Sequence, residues 1–81
     1  MKLPRDLGGL ELAQLLRRYG YEITRQTGSH LRLTTEQHGQ HHVTIPQHKP
    51  LRLGTLRNIL KDIAEHLELD LETLLALLLS N

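Results

Sequence analysis

Directly after Gly28-Ser29, apolar Leu31 and Leu33 alternate with His30, Arg32 and Thr34. Successive side chains of a strand point to opposite sides, so this alternation describes a strand buried on one face only. The rhythm recurs upstream, where Tyr21 and Ile23 are set against Glu22, Thr24 and Gln26. It recurs downstream, where Val43 and Ile45 are set against His42 and Thr44, with Pro46 closing the run. The spacing predicts strands over 21–27, 30–35 and 41–45. Gly28-Ser29 turns the first into the second, and the polar run 36–40, with Gly39, turns the second into the third. Links this short make an antiparallel meander, and its apolar face must be covered.

Two segments are suited to cover it. Leu12, Leu15, Leu16 and Tyr19 fall at i, i+3, i+4 and i+7, one helical stripe over about 10–19. Arg17 and Arg18 suit the negative end of that helix, and Gly20 stops it. Residues 1–9, with Pro4 and Gly8-Gly9, read as irregular. A second helix is expected over 53–67, with Leu56, Ile59, Leu60, Ile63 and Leu67 as its stripe. Asp70 is a good N-cap for a third over 71–79. There Leu71, Leu74, Leu75 and Leu78 form one face, while Leu77 and Leu79 lie outside it. A helix apolar most of the way round needs cover, from its own core, a second copy or a protein partner. The fold class is therefore α+β: helix, three-stranded antiparallel sheet, helix, with the helices on one face and an extra C-terminal helix. Residues 1–69 form the functional domain; residues 70–81 are a leucine-rich extension, in the same globule or at an interface.

The chain has 81 residues, enough for one small domain. With no cysteine it has no disulfide framework and no thiolate metal site. No basic start followed by an apolar run indicates a signal peptide, and the C-terminal leucines are too few to cross a bilayer. A cytoplasmic location without a membrane partner is the expectation. The net charge of +1 conceals an asymmetry: all ten Lys and Arg and four acids lie in residues 1–61, and the other five acids lie in 62–81. The first part is a basic body suited to a polyanion. With no Phe or Trp in the chain, bases have little on which to stack, unlike in the RRM and OB modules. The open sheet face, expected to show Thr24, Gln26, His30, Arg32, Thr34, His42 and Thr44, suits phosphate and ribose instead.

A histidine beside an arginine joins a group that exchanges protons near neutrality to one that holds phosphate. RNA brings its own nucleophile, the 2′-hydroxyl, so cleavage needs only proton transfer and charge stabilisation, and in principle no metal. His30 is the candidate general acid or base. Arg32, Lys49 and Arg57 are candidate charge stabilisers. The basic loop with His48, Lys49 and Arg52 leads to the start of the second helix, a further candidate phosphate site. His48 is the best candidate for a second proton-transfer group, with His42 behind it. A metal reading of His38, His41 and His42 fails on geometry, because adjacent His41 and His42 must point to opposite faces and only Glu36 offers a placed carboxylate. No metal or cofactor is expected.

Three motifs, Gly28-Ser29-His30, the loop Pro46-Gln47-His48-Lys49-Pro50 and the run Gly54-Thr55-Leu56-Arg57-Asn58-Ile59-Leu60-Lys61, give the chain a resemblance to the HicA-type toxins. These are small mRNA interferases of bacterial and archaeal toxin–antitoxin pairs. The likeness runs from about Leu10 to Lys61, with the motifs in the family's order and spacing. It implies a double-stranded-RNA-binding-domain-like α-β-β-β-α fold. It also implies endoribonuclease activity that depends on His30, with Gly28 and Ser29 at the RNA, and a HicB-type antitoxin that masks the site. Many relatives carry a second histidine directly after the motif; here that position is Leu31. The alternatives are a non-catalytic RNA-binding module of the same fold and an interaction protein built around its leucine-rich helix, which could also mediate a homo-oligomer.

Overall fold

The structure, a computed structural model, describes residues 2–80. Helix α1 spans Gly9–Leu15 and continues as a 3₁₀ turn over Leu16–Tyr19. Strands β1 (Glu22–Thr27), β2 (His30–Thr35) and β3 (His41–Pro46) follow, then helices α2 (Leu53–Leu67) and α3 (Leu71–Leu79). The strands form an antiparallel sheet in the order β1-β2-β3. The α+β layout expected from the sequence is the one observed. One difference is that the single helix expected over 10–19 tightens to 3₁₀ in its last turn, where Gly20 closes it at φ 79°. A Cβ at Gly20 would lie 2.8 Å from Thr35 Oγ1, so both conformation and space call for glycine there.

The alternating leucines decide the layering. Leu31, Leu33, Val43 and Ile45 are buried against Leu12 and Leu16 of the first helical segment and Leu56, Leu60 and Ile63 of α2. Both helical segments therefore lie on one face of the sheet and leave the other open. Helix α3 adds Leu74, Leu75 and Leu78 to the same core. Its cap is as the sequence implied: Asp70 Oδ1 accepts from the Thr73 N–H at 2.7 Å. Leu77 and Leu79 stay exposed, at 43% and 47%. The irregular residues before α1 pack onto the domain, since Leu3 is buried and the Leu51 N–H donates to the Leu7 carbonyl at 2.8 Å.

A polar chain ties the far end of the sheet to α2. Tyr21 Oη lies 2.6 Å from His41 Nδ1, His41 Nε2 lies 3.1 Å from Asp62 Oδ1, and the His41 ring stacks on His66 at 4.3 Å. Burial, aided by the negative charge of Asp62, pushes the Tyr21 hydroxyl up to about 12. An ordinary tyrosine titrates near 10, so the folded chain holds this proton more tightly than the unfolded chain. The contribution is complete below pH 10 and is lost as the pH climbs from 10 to 12. Denaturant midpoints should fall across that window for the native chain, and Tyr21→Phe should remove this part of the fall. A phenolate absorbance that appears near pH 10 in the native chain, is missing from Tyr21→Phe, and brings no loss of stability would contradict this.

Candidate nucleic-acid interface and catalytic histidine

The open face is built from rows of residues paired across the strands. Nearest the β1–β2 turn, Thr27, His30 and Pro46 lie side by side; next come Arg25, Arg32 and Thr44; then Glu22, Thr34 and His42. The register along β1 shifts between Ile23 and Arg25. The shift has a readable cause. The two-residue turn Gly28-Ser29 sets Thr27 opposite His30 and therefore Arg25 opposite Arg32. Continued without a break, that register would set Ile23 opposite Thr34, on the polar face. One extra residue, Thr24, bulges out and returns Ile23 to a place opposite Leu33. The turn is of the kind that needs a left-handed first residue, and Gly28 supplies it at φ 55°.

This bulge corrects the reading of β1. Gln26 stands opposite Leu31, not on the open face as alternation implied, and Arg25 and Thr27 take the places beside His30. Sequence reasoning missed both. The signal that could have found them is the count outward from the Gly28-Ser29 turn. Thr24 itself still reaches the open face, with its hydroxyl 2.9 Å from Thr34 Oγ1, which in turn lies 2.7 Å from His42 Nδ1.

A shallow cavity of about 200 Å³ opens on this face, lined by Arg25, Thr27, His30, Arg32 and Thr44. Every lining side chain is polar. His30 is exposed, and among the described residues its ring makes no hydrogen bond, which leaves both nitrogens to a ligand. Three of the other histidines differ: His41, His42 and His66 are each engaged by protein atoms. Position 31 faces the helices, and Leu31 is 1% exposed. The leucine there therefore takes nothing from the face that His30 occupies.

The remaining residues singled out by sequence divide by place. Gly28 and Ser29 form the turn directly before His30, and the Ser29 carbonyl accepts from the Gln47 N–H. His48 and Lys49 border a different cavity of about 240 Å³, beside Gly8 and Gly9 at the start of α1. The His48 carbonyl accepts from the Gly9 N–H at 2.9 Å. Arg52 occupies the N-cap of α2 without a side-chain cap bond. Arg57 lines a third cavity with Lys2 and Arg5, on the helical layer and not on the open face. His42 lies opposite Thr34, four residues along β2 from His30, which is roughly 13 Å at strand rise. It cannot share one phosphodiester with His30. Among the described residues no group of three His, Asp or Glu side chains is placed to hold a metal ion.

Fold and face together define a small α+β domain with an open, polar, arginine-bearing sheet surface and an exposed histidine whose ring, among the described residues, makes no protein hydrogen bond. The family described as "HicA toxin of bacterial toxin-antitoxin" matches residues 9–64, and the chain belongs to it. That makes it a toxin-type member of a toxin–antitoxin pair, with an antitoxin as its implied partner. No curated protein and no solved structure matches the chain significantly. Among the described residues no helix is long and apolar enough to cross a membrane.

Proposed function

We propose that the chain is a metal-independent endoribonuclease that acts on mRNA, with His30 as its proton-transfer group and a HicB-type antitoxin as the protein that covers the open face. The observation that carries this reading is the unbonded, exposed imidazole of His30 in one cavity with Arg25 and Arg32. In the reaction, neutral His30 takes the proton of a ribose 2′-hydroxyl. The 2′-oxygen then bonds to the adjacent phosphorus and the bond from phosphorus to the 5′-oxygen breaks. Solvent protonates the leaving 5′-oxygen. The products are a 2′,3′-cyclic phosphate and a 5′-hydroxyl end. Arginines beside the phosphate offset the negative charge that develops on its oxygens.

Purified protein in EDTA, given an RNA and its all-deoxy counterpart, tests this. The RNA should be cut to cyclic-phosphate ends and the DNA should stay intact, because it lacks the nucleophile. RNA bound but never cut would favour the alternative, a binding module of the same fold. Binding through several phosphates should in either case weaken steeply with salt.

A further inference from the structure

Resting on the ribonuclease reading, we infer that Arg25 and Arg32 form a two-guanidinium clamp that grips the scissile phosphate beside His30. The two arginines stand directly opposite each other on neighbouring strands, where side chains are about 5 Å apart at Cβ and like charges disfavour the fold. Both are exposed, and among the described residues neither guanidinium makes a hydrogen bond or an ion pair. The sheet thus concentrates positive charge at one point, with Glu22 in the next row but among the described residues no carboxylate paired to either guanidinium. An anion bound between them removes the repulsion, and a guanidinium fork matches two oxygens of a phosphate.

The surroundings fit the same ligand. Thr27 and Thr44 bring hydroxyls to the cavity, and apart from the His30 imidazole the lining contains no aromatic or aliphatic side chain on which a base would rest. His30 lies one row from Arg32 on the same strand and the same face. A phosphate between the arginines therefore sits next to the imidazole, where the adjoining ribose 2′-hydroxyl must be. Arg25 reaches this position only because the Gly28-Ser29 turn fixes the pairing and the bulge absorbs the mismatch upstream.

The test uses Arg25→Gln in the full chain, with Arg25→Lys and Lys61→Gln beside it. Three quantities are read: single-turnover cleavage of RNA, affinity for the same RNA carrying a 2′-deoxy residue at the cut position, and the denaturation midpoint. Arg25→Gln should cleave about 10²-fold more slowly. Its affinity for the uncleavable RNA should fall, and the salt dependence of binding should lose a slope of about one. Its midpoint should hold or rise, since a repulsive pair has been removed, whereas a merely structural arginine would lower it. Arg25→Lys, which keeps the charge and loses the fork, should fall between. Lys61→Gln, which removes a charge from an exposed position on α2, should cleave within about twofold of the native rate, as expected for a cation outside the site. Unchanged affinity and salt slope in Arg25→Gln would overturn the clamp. If the native chain bound RNA without cutting it, the ribonuclease reading would fail, while the affinity and salt arms would still decide whether these arginines hold phosphate.

Discussion

His30→Ala should lower single-turnover RNA cleavage by about 10²–10⁴-fold, the usual contribution of a positioned acid or base, and leave stability within about 0.5 kcal/mol of the native chain. The separation of the two effects follows from the geometry. The imidazole is exposed and has no protein partner among the described residues, so its removal breaks no native hydrogen bond. RNA affinity should change little, because the proposed clamp puts the phosphate contacts on arginines. His41→Ala makes the opposite prediction. That ring bridges Tyr21 and Asp62 and stacks on His66, so truncation strands a part-buried tyrosine hydroxyl and should cost about 1–3 kcal/mol. Its folded fraction should still cut RNA. Cleavage rates paired with denaturant midpoints for the two variants check both expectations. Loss of cleavage in a folded His41→Ala protein, with His30→Ala active, would move the chemistry to the other end of the sheet.

The reading of the sequence succeeded where one physical rule acts alone. Leu31, Leu33, Val43 and Ile45 face the helices because two-residue alternation survives wherever a strand has a single buried face. The bounds of α2 and α3 follow from the same clarity, a 3.6-residue leucine stripe in one and the Asp70 cap in the other. It failed at β1, where two rules conflict. The turn counts residues from Gly28-Ser29, the apolar pattern counts them from Ile23, and the two counts differ by one. A bulge resolves the conflict, and no periodicity argument reveals it. The bulge is what leaves Arg25 beside Arg32, the pairing on which the proposed clamp rests. His48 and Lys49 were hard to place for a different reason. Nothing in a loop's sequence states which element it leans on, and this loop borders the start of α1, in a cavity whose lining does not include His30.

That contact is the second place where a single atom should have a large effect. Gly9 opens α1 at the point where the helix passes over the end of β3. A Cβ there would run into the Pro46 carbonyl oxygen and lie 3.0 Å from its carbon and 3.2 Å from Gln47 Cα. All three are backbone atoms, so no rotamer change relieves the overlap; helix and strand must separate. Gly9→Ala should therefore destabilise the chain by about 1–3 kcal/mol or more, the range for overpacking a filled site. The strain reaches the site as well, because the Gln47 N–H holds the Ser29 carbonyl in the turn before His30. Gly54→Ala supplies the contrast. This glycine lies in the first turn of α2, and a Cβ there meets nothing within 4 Å. Alanine should stabilise the helix by up to about 1 kcal/mol. Denaturant titration of the two variants reads both signs, and RNA cleavage by the folded fraction shows whether the strand displaced by Gly9→Ala carries His30 out of place with it.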